Sequence, residues 1–137
     1  ARPICVMFSA PAHKTAQHTL ALLQQYEADP RPKVYITVAG RSNALSGFTD
    51  GAVSAPVIAC PPPSDAFGGA DVYSSLRMPS GVAPALVLEP ANAALLAAKS
   101  FGQVDAALRA AGVPHLFAQR RFAARHSASF GEFVEER

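Results

Sequence analysis

The chain has 137 residues, half of them apolar and 16% charged, with a formal net charge of +2. It is long enough to bury a core, carries no apolar run of the ~18 residues that a membrane-spanning helix needs, and scatters its arginines instead of gathering them into the basic, aromatic-lined stripe of a nucleic-acid surface. A single soluble domain over residues 1–137, with no nucleic-acid or membrane partner, is the expectation. Cys5 and Cys60 fall in apolar strand-like runs without metal-ligand spacing, so buried reduced thiols and a cytoplasmic setting are expected. Residues upstream of Ala1 and organellar targeting stay open.

In chain order, the first apolar run, PICVMF at residues 3–8, predicts a strand. TAQHTLALLQQYEA at 15–28 predicts a crossover helix with Ala16, Leu20, Leu23 and Tyr26 along one face and Thr15 capping its start. KVYITVA at 33–39, PVIAC at 56–60 and ALVLE at 85–89 predict three further strands. All four runs are rich in branched residues and lack polar alternation, which suits strands of a parallel sheet covered on both faces. PANAALLAAKSFG at 90–102 predicts a helix opened by Pro90 and closed at Gly102, with an Ala-rich face suited to close packing. Residues 103–137 read as a helical C-terminal extension, two segments broken around Gly112 and Pro114.

In an open α/β sheet, ligands bind beyond the carboxyl ends of the strands. The loops that matter are therefore SAPAHKT after the first run, GRSNALSG after the second and PPPSDAFGGADVYSSLRMPSG after the third. Each mixes small residues, which let a ligand approach the backbone, with polar ones able to converge on it. By residue type alone, GRSN also reads as a surface turn, the His13–Lys14 pair as a helix start and Met78 as core packing. His18, His115 and His126 are read as structural.

The segments AHKTAQHTLALLQQYEADPRPKVYITVAGRSNALSGF, ACPPPSDAFGGADVYSSLRMPSG and LVLEPANAALLAAKSFG resemble the class II PurE family, the aminoimidazole ribonucleotide (AIR) carboxylases of purine synthesis, over residues 12–102. Ala39, Gly40, Arg41, Ser42 and Asn43 stand where class I mutases typically carry Gly-Gly-Ala-Ala-His, which points to free CO2 as the carboxyl source. The resemblance implies a three-layer α/β/α fold with a flavodoxin-like or Rossmann-like parallel sheet. It implies reversible, ATP-independent carboxylation of AIR to 4-carboxy-AIR by a carboxy-lyase, without metal, biotin or other cofactor.

The same resemblance implies roles for individual residues. His13 is the candidate proton shuttle, because histidine exchanges protons around neutral pH, and Lys14 the fixed charge that meets the developing carboxylate. The loop from Ala39 to Asn43 lines the ribonucleotide pocket. Gly40 gives backbone access, Ser42 and Asn43 donate hydrogen bonds, and Arg41 holds a carboxylate or braces the loop. Ser74, Ser75, Arg77, Met78, Pro79, Ser80 and Gly81 match the base-binding region, with Met78 and Pro79 as walls. Phe67 tips a glycine-rich loop able to close over the site, and PPPSD supplies a rigid turn. Relatives assemble as homo-oligomers, tetramers or octamers. Leu116, Phe117, Phe122, Phe130 and Phe133 among the charges of the tail suit contact with a neighbouring copy.

One departure stands out. PurE proteins begin with a strand ending in a Gly-Ser-x-Ser-Asp loop for the ribose and its 5′-phosphate, followed by a helix and another strand. Here RPICVMF leads within a few residues to SAPAHKT, with Pro11 where relatives have serine. A helix start near Ser9 is the expected substitute for the phosphate loop. A catalytically impaired scaffold subunit and a nucleotide-binding module without turnover are the alternative readings.

Overall fold

A computed structural model describes residues 6, 7 and 9–110. The chain forms α1 (Ala16–Glu27), β1 (Tyr35–Thr37), α2 (Leu45–Asp50), β2 (Val57–Ala59), a 3-10 segment (Ala66–Val72), α3 (Tyr73–Leu76), β3 (Ala85–Leu86), α4 (Pro90–Gly102) and α5 (Ala106–Ala110). The strands make one sheet in the order β1-β2-β3. Both pairings are parallel, with Tyr35 opposite Val57 and Ile58 opposite Ala85. This is the parallel α/β sheet that the strand and helix patterns predict, in the flavodoxin-like form that the resemblance implies.

Alternate residues of a strand face opposite sides of the sheet, so the burial of Val57, Ile58 and Ala59 together means that β2 is covered on both faces. On one face, Ile58 and Cys60 meet Ala93 and Ala97 of α4, with Val34, Ile36, Val87 and Leu96 packed around them. Ala93 and Ala97 lie one helical turn apart, and their short side chains bring the helix close to the strand. Pro90 opens α4 and Gly102 is its last residue, as expected. Burial pushes the Cys60 thiol pKa up, with the charge of Glu89 adding to the effect.

Several sequence expectations change. Val6 and Met7 are exposed and belong to no strand, so the run at 3–8 is not a strand at those positions; its other residues except Val6 and Met7, Cys5 included, lie outside the described residues. An apolar run becomes a strand only where a sheet edge receives its N–H and C=O groups, and no backbone hydrogen bond among the described residues joins Val6 or Met7 to the sheet. The buried positions of α1 are Thr19 and Leu23, while Ala16 is exposed and Leu20 is 37% exposed. Thr15 occupies the N-cap position, yet its hydroxyl donates backwards to the Pro11 carbonyl at 3.1 Å instead of capping α1. The helix α2, absent from the sequence reading, crosses between β1 and β2, as adjacent parallel strands require of their connection. In the C-terminal extension α5 accounts for the start of the first segment, and residues 111–137, with His115, His126 and the five apolar tail positions, lie outside the described residues.

Glu27, at the end of α1, ties three parts of the chain together. Its Oε2 accepts from the Ser54 amide at 3.0 Å and the Ser54 hydroxyl at 2.7 Å, and its Oε1 accepts from the Tyr35 hydroxyl at 3.0 Å. The Ser54 amide bond, with the Ser54 and Tyr35 hydroxyls and the Lys33 charge behind it, holds the Glu27 carboxyl below its usual range against an opposing effect of burial. Burial and the same carboxylate push the Tyr35 phenol up. Because the native Glu27 pKa lies below the unfolded one, its stabilising contribution is complete above about pH 4.5 and is lost as pH falls through the native value. Urea unfolding of Glu27→Ala at pH 7 is expected to show a loss of about 1–2 kcal/mol, and the gap to wild type should narrow in acid.

Candidate functional site

Parallel strands send their following loops to the same end of the sheet, and there the loop after β1 meets the segment after β2. The turn is carried by Arg41, a non-glycine residue in the left-handed region with φ of 57°. Gly40 does not supply the unusual conformation. A Cβ at Gly40 would lie 3.5 Å from Pro62 and 3.8 Å from Asp71 Oδ2, ordinary contact distances. A left-handed conformation costs an L-residue about 1–2 kcal/mol, and here partners offset it. The Arg41 amide donates to Asp71 Oδ2 at 3.0 Å, and its carbonyl accepts from the Ser74 hydroxyl at 2.7 Å. That hydroxyl also lies 2.8 Å from the Asp71 carbonyl, and its oxygen accepts the Asn43 amide at 3.0 Å.

Asn43 is buried and engaged within the protein. Its Nδ2 donates to Ser75 Oγ at 2.8 Å, and its Oδ1 accepts from the Ser46 amide at 3.2 Å. The carboxamide expected to serve a ligand therefore braces the loop against the buried Ser75, and Ser42 is left exposed beside it. Arg41, Ser42, Phe67, Ala70, Asp71 and Ser74 line an open concavity of about 330 Å³. Phe67 stands 84% exposed at its rim. It begins a run of three left-handed residues, with φ of 55° at Phe67, 61° at Gly68 and 79° at Gly69.

The remaining sequence candidates are spread more widely. Ala39 follows β1 and is half-buried; Arg77 and Pro79 are exposed. Met78 is half-buried beside α2, its Sδ 3.3 Å from where a Cβ on Gly47 would stand and Val82 Cγ1 adjoining at 3.7 Å. His13 and Lys14 occupy an exposed turn whose Lys14 and Thr15 amides both donate to the Pro11 carbonyl, and neither lines the concavity. Ser9 is exposed in irregular chain, and the helix start expected near it lies instead at Ala16, so the helix N–H groups proposed as a phosphate cradle are not at Ser9. Asp71 escaped the sequence reading. Its partner Arg41 is 30 residues away, and no local pattern announces such a pair.

A second concavity of similar volume opens at the other end of the sheet, with Glu27, Arg31, Lys33 and Ser54 in its wall. Its polar groups are already committed: Arg31 pairs with Asp29, which drops to about 2, Lys33 donates to the Asp29 carbonyl, and Glu27 holds Ser54. The concavity at the carboxyl ends is the one placed as ligand sites in such sheets are.

A parallel α/β sheet with a loop-built concavity beyond its carboxyl ends defines the class as an α/β protein of the flavodoxin-like type. The family model described as AIR carboxylase matches residues 5–114, and the chain belongs to the AIR carboxylase, or PurE, family. It is 70% identical over 94 residues to a phosphoribosylaminoimidazole carboxylase of Treponema denticola, covering 69% of this chain and 59% of that one. It is 59% identical over 104 residues to the carboxylase of the same name from Archaeoglobus fulgidus, covering 76% and 57%. The chain thus spans less than two thirds of the length of these relatives. The crystal structure of Treponema denticola PurE superimposes with a TM-score of 0.70 at 53% identity, covering 92% of this chain and 77% of that one.

The bracing assignments separate by stability. Asn43→Ala, which strands the buried Ser75 hydroxyl, should cost about 1–3 kcal/mol in urea unfolding. The Ser46 hydroxyl is buried without a hydrogen-bond partner among the described residues, so Ser46→Ala should be neutral or stabilising by up to about 1 kcal/mol in the same assay.

Proposed function

We propose that this chain is an AIR carboxylase of class II type, joining CO2 to AIR without ATP to give 4-carboxy-AIR, and that the reaction is reversible. The observation that carries the reading is the Arg41–Asn43 loop pinned on Asp71, Ser74 and Ser75 beside an open concavity at the carboxyl ends of the sheet. Ser42 faces that space as a hydroxyl donor or acceptor for the ribonucleotide, and the exposed Arg41 side chain offers a positive charge at its edge.

In the reaction, the electron-rich ring carbon of AIR attacks the carbon of CO2. A carbon–carbon bond forms, one C–O π pair becomes the carboxylate charge, and the ring carbon still holds its hydrogen. Loss of that proton to the His13 imidazole returns the C–H electron pair to the ring and restores aromaticity. The Lys14 ammonium, next to His13 on the same exposed turn, offsets the developing carboxylate charge. Ser9, Arg77 and Pro79 complete the substrate surface in this reading. Met78 contributes by holding α2 beside it. Neither metal nor organic cofactor enters these steps.

We also assign the working form to a homo-oligomer in the cytoplasm. Tyr73, Leu76 and Leu88 are 67%, 53% and 56% exposed, apolar surface that a neighbouring copy would cover. Light scattering of the full chain should return a mass several times that of one copy, and a monomer across the micromolar range would remove this assignment.

The test of function is appearance of carboxy-AIR from AIR and bicarbonate without ATP. Wild type should turn over, and His13→Asn should keep its fold and AIR binding while losing about 100- to 10,000-fold in rate. Wild-type turnover by His13→Asn would sink the proton-shuttle role, and a folded wild-type chain without turnover would sink the carboxylase reading.

A further inference from the structure

We propose that Asp71 is a positioning residue for the substrate loop: its carboxylate, together with the Ser74 hydroxyl, clamps both backbone polar groups of Arg41, holds that residue in its left-handed conformation and so fixes the course of the loop from Arg41 to Asn43. The kinetic consequence rests on the carboxylase reading; the structural one does not.

Arg41 is one of two non-glycine residues with positive φ among those described. A conformation that costs about 1–2 kcal/mol persists only where surroundings over-determine it. Here the surroundings are one short stretch of chain. The Arg41 amide donates to Asp71 Oδ2 at 3.0 Å and the Arg41 carbonyl accepts from Ser74 at 2.7 Å, across 30 and 33 residues of sequence. Ser74 joins the two arms, since its hydroxyl lies 2.8 Å from the Asp71 carbonyl and its oxygen receives the Asn43 amide at 3.0 Å. Opening either arm therefore loosens the other.

The clamp needs an oxygen acceptor at position 71 and does not need a negative charge. An asparagine there offers a carbonyl oxygen in nearly the same place, whereas alanine offers none. Because the clamped loop touches the ribonucleotide while His13 sits on another loop, losing the clamp should weaken substrate capture more than the chemical step.

Two readouts on the full chain test this. Amide hydrogen exchange at Arg41 should lose its protection in Asp71→Ala and keep it in Asp71→Asn. In the carboxylation assay, kcat/KM of Asp71→Ala should fall by about tenfold or more, chiefly through KM, with Asp71→Asn staying within about threefold of wild type. Ser74→Ala should behave like Asp71→Ala, and the double variant should be no worse than the poorer single one. Retained Arg41 protection in Asp71→Ala, or an Asp71→Asn variant as impaired as Asp71→Ala, would overturn the proposal. If Asp71→Ala does not fold, Ser74→Ala decides by the same exchange measurement. If wild type does not carboxylate AIR, the carboxylase reading falls and hydrogen exchange still judges the clamp.

Discussion

Parallel pairing of β2 on both of its edges is the constraint from which the rest of the molecule follows. Beyond the ladder itself, the Tyr35 amide donates to Pro56, the Cys60 amide to Thr37 and the Val87 amide to Ala59, extending the pairing past each strand end. Parallel neighbours cannot be joined by tight turns, so each connection must return across a face of the sheet. Helix α2 makes the first return and the 3-10 segment with α3 lies on the second. The outgoing loops consequently share one end of the sheet, which is why residues 40–43 and 71–75 meet.

Within that meeting place the side chains divide their tasks by burial. Asn43 and Ser75 are buried and bond each other, which removes them from competition for a ligand and makes the loop rigid. Arg41 contributes its backbone to the clamp and leaves its guanidinium in the open, while Ser42 stays exposed. A loop held in this way has little conformational freedom left to lose on binding any ligand, and avoiding that entropy loss is the general advantage of a preorganised site. The three left-handed residues beginning at Phe67 form a separate irregular stretch on the far rim of the same concavity.

The electrostatics follow the same economy. Near the amino ends of the strands Glu27 spends its charge on Ser54 and Tyr35, joining helix to sheet, while Asp29 pairs locally with Arg31. The carboxyl-end concavity keeps Arg41 exposed at its edge. Both ends thus commit a carboxylate to structure, and at the carboxyl end the Arg41 side chain stays exposed beside it.

Taken alone, the amino-acid sequence determined the strand cores at 35–37, 57–59 and 85–86, the helix from Pro90 to Gly102, the parallel α/β class and the family, because branched apolar runs, helical spacing and contiguous motifs are local properties. It also marked the GRSN loop as special. Tertiary structure alone decided that Arg41, and not Gly40, takes the left-handed turn, that Asn43 faces inward to Ser75, that Thr19 and not Leu20 is the buried neighbour of Leu23, and that Val6 and Met7 join no strand. Each of those outcomes depends on which groups arrive from elsewhere in the chain to accept a hydrogen bond or exclude water, and a linear pattern of residue types does not encode that arrival.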